Sequence, residues 1–317
     1  MADLYSLQEF VRNPEAFSSL RKYFDATVQF LEVLADTRPT RIVSPTEHDY
    51  IFFQFGEDFG YTITRPLNTE IFCQRKRGFS RGFNQLIELL ADLSRKGPVA
   101  ARMRKHQKFV AGRGIERVIY TMQQSIGSIG DTFENANQAR KRVGMLFEQL
   151  IMLLIKEVGL ECESRRVNIE LPGCPGYTMS YELDLVISRE KAIVTSETSL
   201  IGTNEVVGSV KTTSKDRIDK VFLDKFMLSK FLGRTIPVIA IFLHDVERAK
   251  RPGSIFGINS TFKSNHFLGY CMALNRLDGV YYVDPRPNMI ADERLSRQVS
   301  RFSKFLTEDL WALTEER

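Results

Sequence analysis

The order of apolar patterns after residue 131 is the feature that most constrains the fold of this chain. A stripe with helical spacing occupies Asp131 to about Val158. Strand-like segments follow, and a helix from Asp216 to Leu232 interrupts them. The predicted strands cover residues 167–171, 178–187, 192–197, 206–212, 236–243 and 279–284, and a last helix starts at about Asp292. Antiparallel strands followed by strand, helix and strand predict an α/β fold with a mixed central sheet flanked by helices.

The first hundred residues are rich in aromatic side chains and form a different kind of segment. Residues 50–55 and 61–64 have the composition of two strands, and Asn84 to Lys96 has helical spacing. A break follows at Gly97-Pro98. We therefore expect residues 1–110 to form an N-terminal lobe or elaboration, and residues 111–317 to form the core with a C-terminal helix.

Composition excludes several classes of protein. A formal net charge of +5 over 317 residues excludes a histone-like blanket of positive charge but allows a local basic cleft. The cysteines and histidines lack the spacing of a zinc site, which favours buried free thiols in a reducing cytoplasm. Neither a signal peptide nor a membrane span is predicted, because the most apolar run, residues 150–155, is too short. The chain also lacks a glycine-rich loop for a nucleotide cofactor.

Acidic and basic side chains interrupt the predicted strands at positions that could form one cleft. Side chains two apart on a strand share a face, so Asp184 interrupts an apolar strand on the face of Glu182, and Lys211 ends the next apolar strand. Arg217 and Asp224 lie nearly two turns apart on one flank of the following helix. Each of these residues alone is more simply a solvated surface charge, but their positions allow all four to face one site.

Phosphodiester hydrolysis requires groups of this kind. Asp184 and Asp224 could hold Mg²⁺, which prefers oxygen ligands, keeps several waters and lowers the pKa of a bound water. Lys211 could orient the attacking water and stabilise the developing charge. Glu148 is a further catalytic candidate, because Arg140, Gly144 and Glu148 follow at intervals of four on the long helix. Gly144 would let that helix approach the sheet, although a surface ladder of charges is the alternative interpretation.

These residues together resemble the PD-(D/E)XK nuclease superfamily. More narrowly, the pattern resembles type II restriction endonucleases that recognise sites with a CCGG or CC-N-GG core. Ser209-Val210-Lys211 is similar to the variant in which the acid before the lysine is replaced by an acid on the next helix, here Asp224. The resemblance covers roughly residues 135–245. It departs from the family pattern at Asp224, where glutamate is usual, and at Lys215, where arginine is more usual.

The resemblance implies a restriction-endonuclease-like core and a role for the triplet Lys215-Asp216-Arg217 in reading DNA. Arg217 and Lys215 would donate to guanines, and Asp216 would accept from cytosine amino groups. A capped first turn with solvated charges is the alternative. Because palindromic sites match two identical subunits, the resemblance also implies a homodimer.

A basic run near the N-terminus is a candidate for contacts with phosphates or with flanking bases. A solvated helix or loop face is the alternative interpretation. The basic run lies within Phe72–Phe83 and contains Arg75, Lys76, Arg77 and Arg81.

The prediction is thus a sequence-specific, Mg²⁺-dependent double-strand DNA endonuclease, a type II restriction enzyme of a restriction-modification system. One alternative is a nuclease of the same superfamily that acts in repair or defence without strict sequence specificity. It would share the metal site without needing the triplet. A non-enzymatic DNA-binding protein is a third possibility, and it would tolerate the loss of Asp184.

Overall fold

A computed structural model describes residues 3–36, 42–43, 50–55, 64–190, 192–215, 217–250 and 256–315. The chain divides into two units. The first comprises Met1–Leu89, Arg104–Leu150 and Asp245–Thr261, and the second comprises Leu90–Met103, Ile151–His244 and Phe262–Arg317. Within the described residues, no helix combines the length and apolar character needed to cross a membrane.

The N-terminal half of the chain is mainly helical. Its helices are α1 (Leu4–Arg12), α2 (Leu20–Asp36), α3 (Lys76–Lys96), α4 (Arg104–Ala111), α5 (Gly114–Gly130) and α6 (Ala136–Glu157), with 3₁₀ turns at Pro14–Phe17 and Gly97–Arg102. The short strands β1 (Ile42–Val43), β2 (Tyr50–Phe52) and β3 (Leu67–Asn68) form an antiparallel sheet. Residues 61–63 of the predicted second strand lie outside the described residues.

Helix α3 begins at Lys76, well before the predicted start at Asn84. Phe79 and Phe83 on this extra stretch are buried, whereas Arg77 and Arg81 are exposed. The basic run therefore lies on the first turns of an amphipathic helix.

Helix α6 begins at Ala136, later than predicted, because the chain turns after α5. Asp131 lies in this turn, and its carboxylate accepts hydrogen bonds from the backbone and side chain of Arg65. The predicted apolar stripe of α6 is buried, which confirms the helical interpretation. Its members are Val143, Phe147, Leu150, Ile151 and Leu154.

The second half of the chain alternates strands and helices. Its elements are β4 (Glu161–Glu170), β5 (Thr178–Ser188), β6 (Val206–Lys211), α7 (Ile218–Leu232), β7 (Val238–His244), β8 (Val246–Lys250), β9 (Phe256–Ser260), α8 (Ser264–Ala273), β10 (Gly279–Asp284), α9 (Pro287–Ala291), α10 (Glu293–Ser296), β11 (Val299–Arg301), α11 (Phe302–Lys304), a π-helical turn (Phe305–Asp309) and α12 (Leu310–Leu313).

The described residues form a six-stranded mixed sheet in the order β11-β10-β7-β6-β5-β4. Strands β4, β5 and β6 pair antiparallel, whereas β6, β7, β10 and β11 pair parallel. Every residue of β7 is buried, as expected for a central parallel strand covered on both faces. A core that includes Val186, Phe222, Val238 and Phe242 packs α7 against the sheet.

Two predicted elements are wrong for identifiable reasons. Residues 192–197 do not form a strand, because the carboxylate of Glu205 accepts the backbone N–H groups of Val194 and Thr195 that a ladder would use. The helix predicted from Asp292 is interrupted by β11, which adds to the sheet edge through Val280 and Val299. Val299 is buried there, so the sheet gains an apolar edge strand in place of a helical turn.

Candidate active site

The central sheet forks between β5 and β6. The two strands pair only from Leu185 opposite Gly208 to Ile187 opposite Val206. Beyond Leu185, β5 continues toward Thr178 with β4 as its neighbour, while β6 continues to Lys211 beside β7. The separating strands leave a cleft between them.

Gly208 occupies the last paired position before the fork. A Cβ atom there would lie 3.3 Å from the Cβ of Leu185, which is tighter than ordinary van der Waals contact. Glycine therefore lets the two strands remain close at the point from which they diverge.

Asp184 connects the two strands inside the fork. Its Oδ2 atom accepts hydrogen bonds from Ser209 Oγ at 3.1 Å, the Val210 backbone N–H at 2.9 Å and Lys211 Nζ at 2.6 Å. The side chains of Asp184 and Lys211 are 19% and 30% exposed. Among the described residues, none donates a hydrogen bond to Oδ1, so this oxygen is available to a ligand.

Helix α7 forms the other side of the cleft. Its buried face includes Val221, Phe222 and Leu228, which pack in the core. The helix predicted from Asp216 starts at Ile218, with Arg217 at the cap position and without a side-chain capping bond. The Ser214 carbonyl accepts the N–H groups of Arg217 and Ile218 before the helix begins.

The fork and α7 enclose a cavity of about 240 Å³. Four of its lining residues are the ones whose spacing suggested one cleft, namely Asp184, Lys211, Arg217 and Asp224. The sequence did not single out two other lining residues, Tyr181 and Lys220. Lys220 lies one turn before Asp224, an i, i+4 spacing that is visible in the sequence. Nothing in the sequence indicated that Tyr181 lies at the site, because aromatic residues are common on strands.

The cavity favours the neutral form of the Asp224 carboxyl group. Burial raises the pKa of Asp224; Lys220, whose Nζ lies 4.0 Å from Oδ2, lowers it, and the charge of Asp184 raises it further. Burial also raises the pKa of Tyr181, with the charge of Asp224 as a second cause. Asp184 and Asp224 thus share a partly desolvated space, and a bound cation would stabilise the ionised form of Asp224.

The donor set fits a hard divalent cation. Asp184 offers a free oxygen within the described structure, and the nearest described cation to Asp224 is the exposed Lys220 at 4.0 Å. Carboxylate oxygens are the ligands that Mg²⁺ and Ca²⁺ prefer, and the cavity is large enough to keep water around an ion.

Of the two described residues of the predicted DNA-reading triplet, one lines this cavity. Arg217 is exposed and lines the cavity, and it forms no ion pair with a described acid. Lys215 is exposed on the loop before α7. Asp216 lies outside the described residues.

The remaining candidate residues lie in the first unit. Arg75, Arg77 and Arg81 are exposed and form no ion pair with a described acid, whereas Lys76 pairs with Glu32. Glu148 is half-buried on α6, and its predicted closeness to Asp184 stays a prediction. A Cβ atom at Gly144 would meet no described atom within 4 Å, so the prediction that this glycine permits close packing is wrong.

The chain is similar in structure to a known nuclease. It superimposes on the crystal structure of the type IIP restriction endonuclease Kpn2I with a TM-score of 0.71 and 16% sequence identity, covering 99% of this chain and 98% of that one. The restriction endonuclease PspGI, in a complex with substrate DNA, matches with a TM-score of 0.38 and 11% identity over 74% of this chain and 92% of that one. No protein-family model and no curated protein sequence matches. The likeness to Kpn2I confirms the predicted restriction-endonuclease-like fold.

Proposed function

We propose that this protein is a sequence-specific, Mg²⁺-dependent double-strand DNA endonuclease, a type II restriction enzyme. The observation that carries the proposal is the convergence of Asp184, Lys211 and Asp224 on one cavity at the fork of the sheet. The fold shared with Kpn2I over nearly the whole of both chains supports it.

Asp184 and Asp224 would hold the metal ion, and Lys211 would act beside it. When bound, the ion supplies charge neutralisation at the scissile phosphate and a water of lowered pKa. Lys211 is held by Asp184 Oδ2 at 2.6 Å, which aims its ammonium group into the cavity. There it orients the attacking water and stabilises charge on the phosphate. Glu148 is a further candidate for a catalytic residue.

Sequence recognition is proposed for the start of α7. Arg217 is exposed at the mouth of the cavity, where its guanidinium could donate to guanine O6 and N7, and Lys215 is exposed two residues earlier. Asp216 would accept from cytosine amino groups. These roles suit a palindromic G·C-rich site with a CCGG or CC-N-GG core, cut by a homodimer.

Non-specific affinity is proposed for the first turns of α3. Arg75, Lys76, Arg77 and Arg81 place positive charge at a helix N-terminus, where the helix dipole is already positive. An external anion such as a DNA phosphate would relieve this repulsion.

Digestion of a plasmid of known sequence tests the proposal directly. With Mg²⁺, we expect discrete fragments whose sequenced ends share one G·C-rich palindrome. Lys211→Ala protein, prepared in parallel, is the control for contaminating nucleases. Fragments with unrelated ends would favour a nuclease without strict specificity, and intact plasmid would contradict nuclease activity. The variant Asp216→Ala is expected to relax the preference for this palindrome.

A further inference from the structure

Strands β4 and β5 project beyond the fork as a two-stranded ribbon. Their pairing runs from Arg165 opposite Leu183 to Glu170 opposite Thr178, past the point where β6 diverges. A loop from Leu171 to Tyr177 closes the ribbon, with Leu171 N–H donating to the Tyr177 carbonyl at 2.9 Å. Tyr177 is 71% exposed at this tip.

The two faces of the ribbon differ in chemistry. Val167, Ile169 and Leu183 are buried in the core on one face. The opposite face bears the cross-strand pairs Arg166–Glu182 and Asn168–Ser180. The pairing shifts register between Glu163 and Arg165, next to Asp184. Glu182 and Asp184 nevertheless both line the cavity, so the polar face continues from the candidate active site. At roughly 3.4 Å per residue, the Asn168–Ser180 pair lies about 14 Å from Asp184. A DNA segment that crosses the candidate active site in this direction would cross the polar face.

The polar face has the chemistry of a base reader more than that of a phosphate binder. Arg166 pairs with Glu182, and the two side chains are 51% and 77% exposed, so this cross-strand pair is neutral yet open to solvent. Phosphate contacts require positive charge, whereas base edges present mixed donors and acceptors. A neutral row of guanidinium, carboxylate, amide and hydroxyl groups matches base edges.

Asn168 is the best-placed reader on this face. The hydroxyl of Ser180 donates to its Oδ1, which leaves the amide NH₂ directed away from Ser180. Among the described residues this NH₂ group has no acceptor. An asparagine amide pairs with adenine N6 and N7, and an arginine pairs with guanine O6 and N7, both in the major groove. A two-stranded ribbon fits the width of that groove.

We infer that the β4–β5 ribbon reads base pairs that flank the recognition core, with Asn168 and Arg166 as its specificity residues. This inference rests on the proposed endonuclease function. Contacts to the flanking base pairs are thereby assigned to the ribbon. The start of α7 is left with the core of the site, and the basic first turns of α3 are left with phosphates. The inference also accounts for a long hairpin whose solvent-facing row is polar and leads away from Asp184.

The test measures cleavage of duplexes in which each base pair within three positions of the core is varied. Wild-type protein is compared with Asn168→Ala, Asn168→Asp and Arg166→Ala. Arg297→Ala is the matched control, because Arg297 also pairs with an exposed glutamate, Glu293, on a helix. Substrates with 7-deazapurines at the flanks remove the N7 acceptor and probe the major groove. Sedimentation of each variant records its oligomeric state.

We expect wild-type kcat/KM to vary by about tenfold or more with at least one flanking pair, and to fall with the 7-deaza base there. Asn168→Ala or Arg166→Ala should remove that preference while cleavage at the core sequence persists, and Asn168→Asp should change which base is preferred. Arg297→Ala should behave as wild type.

The inference is overturned if the preference survives in the ribbon variants, or if wild type has none. It is equally overturned if the variants alter only the oligomeric state or reduce cleavage of all flanks alike. Absence of any site-specific cleavage by wild type would instead overturn the proposed function.

Discussion

The carboxylate of Asp184 accepts the backbone N–H of Val210 at 2.9 Å, across the point where β5 and β6 cease to pair. A side chain thus replaces a ladder hydrogen bond at the head of the fork. The same Oδ2 atom receives Lys211 Nζ, so the separation of the strands and the orientation of the lysine depend on one carboxyl group.

Replacing Lys211 by alanine should reduce cleavage by a factor of roughly 10² to 10³ or more, because one charge-stabilising donor is lost from the transition state. DNA binding in Ca²⁺ should remain measurable by gel shift. Lys156→Ala, an exposed lysine on α6, serves as the control. Normal cutting by the Lys211 variant would refute the assignment of the active site.

The metal site should be visible without DNA. The proposed site would bind Mg²⁺ or Mn²⁺ in the folded state through Asp184 and Asp224, so saturating metal should raise the Tm of wild-type protein. Asp184→Asn and Asp224→Asn should each reduce this shift strongly. Differential scanning fluorimetry over a metal titration measures it, and an unchanged shift in both variants would place the ion elsewhere.

The pH dependence of stability should reveal Asp224 in metal-free protein. Burial raises the folded-state pKa of this carboxyl group above its ordinary value of 3.8, so the folded state holds its proton more tightly than the unfolded state. The free energy of unfolding therefore falls as pH rises from 3.8 through the raised pKa. Asp224→Asn should remove this loss and be the more stable protein at neutral pH.

Urea denaturation in EDTA between pH 4 and 8 measures this difference. Asp219→Asn, an exposed acid on the same helix, provides the comparison. A wild-type protein that gains stability relative to the Asp224 variant as pH rises would contradict a raised pKa at Asp224.

Arg217 and Arg75 should affect DNA binding in different ways. Arg217→Ala should weaken binding to the cognate site selectively, by roughly 1–3 kcal/mol, because a base contact is lost. Arg75→Ala should weaken binding to all sequences and reduce the slope of log K against log salt by about 0.9. Fluorescence anisotropy at several salt concentrations separates the two, and equal effects on both classes of DNA would contradict the distinction.

Glu205 should be a stability residue of the loop between β5 and β6. Its buried carboxylate accepts the N–H groups of Val194 at 2.5 Å, Thr195 at 3.3 Å and Gly202 at 2.8 Å. Glu205→Ala leaves these donors without their acceptor and should cost roughly 2–4 kcal/mol. Glu190→Ala, an exposed acid that bonds Asn204 in the same loop, should cost little. The midpoints of urea denaturation of the two variants measure this difference in stability.

The apolar patterns were sufficient to predict the central strands and α6, because a buried parallel strand and a long helical stripe leave clear periodicities. The apolar patterns were insufficient at residues 192–197, where a local apolar run resembles a strand. The carboxylate of Glu205 accepts the backbone N–H groups there, so they are not available to a neighbouring strand. The patterns also missed β11, whose pairing with β10 depends on a non-local contact between Val280 and Val299.

The site could be predicted in part because strand and helix periodicities fix which side chains share a face. That rule allowed Asp184, Lys211 and Asp224 to face one cleft, and the three residues line one cavity. The fork itself was not predictable, since a register that stops at Leu185 and Gly208 leaves no mark on either strand. The approach of Tyr181 to Asp224 depends on the fork and was missed with it.

The fork has one consequence for redesign of the molecule. Its opening is bridged by the short aspartate side chain at position 184 and not by a backbone ladder. A glutamate at this position would add one methylene to the span. Under the proposed function, this longer bridge is expected to shift the preference from the smaller Mg²⁺ toward the larger Ca²⁺.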